Sequence, residues 1–193
     1  MRRILRLLAC GAVVLSLVAC TPTGCAVGDT QDSMPSVAHD STHKTDITVG
    51  FVGSTDTAAD KKAIDALADD TLNVYYASLD TSGDSETADK IAATAQQGVT
   101  DFVDRAVKIV IISGIDVTDA NRDSWNQALT NAREAGIPVA LLNPKHAPED
   151  ELLYAAILNT DDAASAKSVS IADAVITITR DEPHDRTIAV ATE

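Results

Sequence analysis

Six apolar runs rich in Val and Ile recur between residues 46 and 193, separated by lengths that suit helices, and this alternation limits the chain to very few architectures. DITVGFVG (46–53), LNVYYASL (72–79), VKIVIISG (107–114), IPVALLN (137–143), LLYAAILN (152–159) and RTIAVAT (186–192) are mostly continuous in apolar character. Strands buried on both faces read this way. Between them, Ala88, Ile91, Ala92, Ala95, Val99, Phe102 and Val103 recur at helical spacing, as do Trp125, Ala128, Leu129, Ala132 and Ala135. Each set makes one apolar stripe on a helix. A further stripe, Val169, Ala172, Val175 and Ile176, needs cover of its own. Asp84-Ser85 and Thr118-Asp119 stand where N-caps are wanted, and Gly136 stands where a helix end needs a left-handed residue. Strand and helix in repeated succession predict an α/β fold, a doubly wound parallel sheet.

In an open sheet of that kind, ligands collect outside the carboxyl ends of the strands. Four such ends carry short polar side chains: STD (54–56), SGID (113–116), NPK (143–145) and NTDD (159–162). Taken singly, Ser, Thr, Asn and Asp after a strand also serve as helix caps and turn formers. Their convergence on one edge is what points to a ligand. No Gly-x-Gly-x-x-Gly, Gly-Lys-Ser/Thr or Gly-x-Ser-x-Gly occurs, so the usual nucleotide cradle and hydrolase elbow are missing. Asp161-Asp162 and Glu149-Asp150-Glu151 resemble paired carboxylates or calcium ligands, but the first pair suits a helix start and the second a Pro-bounded loop. The expectation is a binding protein, not an enzyme, with no cofactor and no metal.

The amino terminus is a different material. MRRILRLLACGAVVLSLVAC has Arg2, Arg3 and Arg6 followed by an apolar stretch and no acid, the layout of a secretion signal. It is too short for a membrane span of about 20 apolar residues. Leu17-Val18-Ala19-Cys20 resembles the lipobox of bacterial lipoproteins, and Leu7-Leu8-Ala9-Cys10 is a weaker copy with too little apolar run before it. The resemblance implies that the Cys20 thiol takes a diacylglyceryl group and becomes the first mature residue. Dual acylation holds a protein to a bilayer where one chain does not, so the expectation is an extracytoplasmic, lipid-anchored protein of the cell envelope. Cys25 then has no disulfide partner.

Residues 20–45 are rich in Ser, Thr, Asp, Gly and Pro without apolar periodicity and read as a flexible tether. His39 and His43 stand four apart there, a spacing with little meaning in a linker. Formal charge is −14, from 15 basic and 29 acidic residues, and loss of the leader's arginines makes the remainder more acidic still. That surface argues against nucleic acid and against charge-driven binding to an anionic membrane.

DITVGFVGS, VKIVIISGID, SWNQALTNAREAGIPVALLN and LYAAILNTDDAASAK, in that order and at those intervals, resemble the first lobe of the sugar-binding, periplasmic-binding-protein-like (type I) family that serves ABC transporters. The most specific piece runs from Trp125 through Leu129, Ala132 and Ala135 to Gly136-Ile137-Pro138-Val139 and is similar to the corresponding segment of hexose and galactofuranose binders. The resemblance implies capture of a small sugar and its delivery to an ABC transporter permease. It carries ligand contacts onto Ser54, Thr55 and Asp56 after the first strand, Ser113 and Asp116 after the third, Asn143 at the end of the fourth, and Asp161 at the hinge.

Two departures accompany it. Asn143-Pro144-Lys145 stands where family members commonly carry Asp-Arg, and the first loop lacks an aromatic side chain to stack on a pyranose. RTIAVATE looks like the first strand of a second lobe, most of which the resemblance implies to be absent. The expected organisation is a leader at 1–19, a linker at 20–45 behind lipidated Cys20, a first lobe at 46–160, and the start of a truncated second lobe at 161–193. The alternative is an incomplete or degenerate binding protein that acts as a sensor or interaction lipoprotein without binding a ligand.

Overall fold

The computed structural model of the chain describes residues 43–79, 88–161 and 167–192. The leader, Cys20, nearly all of the linker and the Asp84-Ser85 cap lie outside these residues. Strands β1 (Thr48–Val52), β2 (Asn73–Ala77), β3 (Ile109–Ser113), β4 (Val139–Leu142), β5 (Ala156–Asn159), β6 (Val169–Ser170) and β7 (Thr187–Ala191) form one sheet in the order β2-β1-β3-β4-β5-β7-β6. Every neighbouring pair is parallel. Among the described residues, four helices flank it: α1 (Thr57–Asp69), α2 (Ala88–Asp104), α3 (Arg122–Glu134) and α4 (Ile171–Thr179). The fold is the predicted doubly wound α/β sheet.

The period-2 geometry of a strand sorts its side chains between two cores. In β3, Ile109 and Ile111 face the layer of α1 and α4, while Val110 and Ile112 face the layer of α2 and α3. In β4, Ala140 and Leu142 go one way and Val139 and Leu141 the other. Both strands are buried along their full length, and each Val, Leu or Ile so buried contributes about 1.5–3 kcal/mol. The apolar stripes supply the other half of each core: Ala63 and Leu67 of α1 on one face, Val99, Phe102, Trp125 and Leu129 of α2 and α3 on the other. Helix α3 ends as predicted. Gly136 takes φ +72°, its N–H donates to Arg133 O, and the N–H of Ile137 donates to Ala132 O, the paired closure of a Schellman motif.

Several expectations need correction. β2 is an edge strand whose Tyr75 and Tyr76 are 40% and 42% exposed, so it is not buried on both faces. Leu152-Leu153 belongs to a short 3-10 turn, Glu151–Leu153, started by Asp150, whose side chain accepts from Leu152 N; the strand begins only at Ala156. Helix α3 starts after Asn121, not at Thr118-Asp119.

Residues 161–193 are the segment expected to open a second lobe. Their described part is built onto the same sheet. β7 pairs with β5, Ile157↔Thr187 through Asn159↔Ala189, and α4 packs beside α1 with Ile171, Ala172, Ala174, Val175, Ile176 and Ile178 buried. The physical reason is that β5 would otherwise present an open edge. Arg186 fixes the join, its Nη1 donating to Tyr154 O at 3.0 Å and Ala155 O at 3.2 Å while the guanidinium lies 4.7 Å from the Tyr154 ring centroid.

The two faces position a crevice. The helix that follows β1 lies on one side of the sheet and the helix that follows β3 on the other, although the strands are neighbours. The chain therefore parts at the carboxyl ends of β1 and β3, the switch point at which such folds leave room for a ligand.

Candidate functional site

The loop from β1 to α1 is held from within. Asp60, one turn into α1, is 1% exposed, and its carboxylate accepts from Ser54 N at 2.6 Å and Ser54 Oγ at 3.0 Å. Ser54 Oγ in turn accepts from Asp56 N at 3.0 Å, and Asp56 Oδ1 accepts from Ala59 N at 3.0 Å as the N-cap. A β-carbon at Gly53 would stand 2.7 Å from Tyr76 Oη and 3.0 Å from Asp60 Oδ2. Only glycine lets the strand leave the sheet this close to that carboxylate.

The next two loops are tied to each other. Asp116 and His146 form an isolated parallel bridge, and Asp116 Oδ1 lies 2.7 Å from His146 Nδ1. Asn121 turns its side chain back instead of capping α3: Oδ1 accepts from Thr118 N at 2.8 Å and Nδ2 donates to Asp116 O at 3.1 Å. Asn143, at φ +45°, uses both ends of its amide on Thr160. Ends of β3, β4 and β5 are thus laced together by side chains.

These loops enclose a cavity of about 270 Å³ at the switch point. Ser54, Thr55, Asp56, Ser113, Asp116 and Asn143 all border it, so six of the seven side chains expected from sequence come together. Asp161 does not border it; its backbone N donates to Asn159 Oδ1 at 2.9 Å in the turn after β5. Sequence reading missed Thr118, Asn121, Lys145 and Trp125 as wall residues. A second, larger cleft of about 580 Å³ shares Asp56, Ser113 and Asn143 and adds Lys62 and Thr160. Trp125 was legible as an apolar stripe residue. Asp60 was detectable too, as an acid on the Ala63–Leu67 face of α1.

The cavity is two-toned. Its rim is polar, and its interior is walled by Leu79, Ile91, Ala92, Ala95, Ile112 and Ile115. Among the described residues, Ser113 Oγ, Thr55 Oγ1, Thr118 Oγ1 and Lys145 Nζ make no hydrogen bond or ion pair within the chain and are available at the rim. No group of three His, Cys, Asp or Glu side chains suited to a metal occurs among the described residues.

No family model matches the chain, and no curated protein matches it in sequence. It is similar to several solved structures. One is a galactofuranose binding protein, at 16% identity and TM-score 0.46, over 74% of this chain and 56% of that one. A Mycobacterium smegmatis protein in complex with beta-D-fucofuranose has 18% identity and TM-score 0.45, over 63% of this chain and 37% of that one. The chain is also similar to the periplasmic binding protein component of the arabinose ABC transporter from Shewanella sp. ANA-3, bound to alpha and beta-L-arabinofuranose, at 16% identity and TM-score 0.45 over 74% and 54%. The chain spans 56%, 37% and 54% of the length of these three, respectively.

Proposed function

We propose that this chain is the solute-binding component of an ABC-type sugar transporter, a lipoprotein held outside the cytoplasm through Cys20, and that it binds rather than transforms its ligand. The observation that carries the reading is the convergence of Ser54, Thr55, Asp56, Ser113, Asp116 and Asn143 on one cavity at the switch point. A sugar presents hydroxyls around a ring with C–H faces, and a polar rim over an apolar floor matches both. The unused hydroxyls of Thr55, Ser113 and Thr118 and the ammonium of Lys145 are the proposed ligand partners. The permease receives the loaded protein.

One sheet edge covers one side of a sugar. Four hydrogen bonds from Thr55, Ser113, Thr118 and Lys145, at about 0.5–1.5 kcal/mol each, supply roughly 2–6 kcal/mol, so a Kd near millimolar is expected from this one edge. Ligand-observed saturation-transfer NMR against pentoses and hexoses is the test. Transfer to at least one sugar supports the proposal, and absence of transfer to every member of the panel refutes it.

A second reading has an observation of its own. Ser54, Asp56 and Asn143 already spend side-chain bonds inside the protein, which favours a sensor or interaction lipoprotein that uses the lobe as a surface. A panel without a binder would select it.

A further inference from the structure

Two hollows flank the carboxyl end of β3. The cavity of about 270 Å³ lies on the α2 side, walled by Ala92, Ala95 and Ile112, and the cleft of about 580 Å³ lies on the α1 side, walled by Ala59, Lys62 and Ala63. Asp56, Ala59, Ser113 and Asn143 border both. Asp56 and Asn143 already bond within the chain and Ala59 has no polar side chain, which leaves Ser113. This last residue of β3 is 8% exposed, yet its hydroxyl meets no partner among the described residues and still has accessible surface. A polar group so nearly buried is costly to leave unsatisfied. We propose that the ligand is a pair of linked sugar units, one in each hollow, with the Ser113 hydroxyl donating to the oxygen that joins them. This rests on the sugar reading and narrows its substrate class.

The chemistry of the junction selects the ligand. An oxygen bridging two sugars carries no proton and can only accept, and a serine hydroxyl can donate. On either side of Ser113, polar side chains remain that no bond among the described residues uses: Thr55, Thr118 and Lys145 border the cavity, and Lys62 and Thr192 border the cleft. Lys62 is exposed, and its flexible four-carbon stem lets the ammonium turn toward a ligand in the cleft. A single ring in the cavity engages the first set and leaves the second to water. Both sets are engaged at once only by a ligand that passes over the end of β3, where Ser113 stands between them.

Saturation-transfer titrations of maltose, cellobiose and lactose against D-glucose and D-galactose decide the matter. At least one disaccharide should bind about tenfold more tightly than either of its units, the gain expected of two further hydrogen bonds in the cleft, and both of its rings should receive saturation. Ser113→Ala and Lys62→Ala should each remove much of that preference, leaving about threefold or less. Ser113→Ala deletes a hydroxyl that no described residue bonds, so its urea midpoint should hold, which separates a lost contact from a lost fold. If sugars bind but no disaccharide is preferred, if saturation reaches one ring only, or if both variants keep the full preference, the two-unit site is refuted while the sugar reading stands. If no sugar of either size binds, the sugar reading fails first and takes the two-unit site with it.

Discussion

Asn143 and Thr160 are joined twice: Asn143 Nδ2 donates to Thr160 Oγ1 at 2.7 Å, and Thr160 N donates to Asn143 Oδ1 at 2.9 Å. The pair closes the ends of β4 and β5 with Asn143 in the left-handed region at φ +45°. Asn143→Ala should therefore lose both bonds and add backbone strain, lowering unfolding free energy by about 3 kcal/mol. Asn143→Gly loses the same bonds without the strain, and about 2 kcal/mol is expected. Urea titration of both variants checks this, and equal losses would remove the role assigned to φ.

Asp60 should matter as much as any apolar core residue of α1. Removing its carboxylate in Asp60→Ala strands Ser54 N and Ser54 Oγ beneath the rim, and a cost of about 3 kcal/mol follows from two charge-assisted bonds in a buried setting. A loss under about 1 kcal/mol in chemical denaturation would show that the loop holds its shape without it.

Gly50 lies under α2 with no room for a side chain, since a β-carbon there would come within 2.5 Å of Phe102 Cγ. Gly50→Ala should destabilise by about 2 kcal/mol or more. Combined with Phe102→Leu, the two changes should cost less than the sum of the singles, because the second relieves the crowding caused by the first. Strict additivity would contradict this packing.

β7 should unfold with the sheet and not before it. Val190 is fully buried, and Val190→Ala is expected to cost about 2 kcal/mol. Amide exchange along Thr187–Ala191 should be as slow as along β4. Rapid exchange in β7 alone would detach residues 187–191 from this sheet and support the expected separate lobe.

The anchor is tested in the cell. Wild-type protein should take up labelled fatty acid and sediment with membranes, and Cys20→Ala should abolish the label. An unlabelled wild type would refute the anchor.

The α/β order could be read from the chain because buried parallel strands announce themselves by composition: β3 and β4 are apolar at every position facing a core. What composition does not carry is place. Tyr75 and Tyr76 have strong strand character wherever they stand, yet β2 lies at an edge, and nothing local to Thr187–Ala191 says which sheet it joins. The rim was legible for a similar reason, since Ser54, Ser113 and Asn143 interrupt apolar runs where strands must end. Trp125 was legible only as core. Its place in the cavity wall depends on how α2, α3 and β3 come together, a relation that no spacing along one helix encodes.

Side chains of one strand go alternately to Leu67 and α4 or to Leu129 and α2, with no apolar contact shared across the backbone. The sheet thereby acts as a bulkhead between two compartments. Damage on one side has no direct route to the other, so Leu67→Ala and Leu129→Ala should sum in their energetic cost. Asp60 is the exception: it sits on α1, yet through Ser54 it supports the rim of the cavity that Trp125 borders.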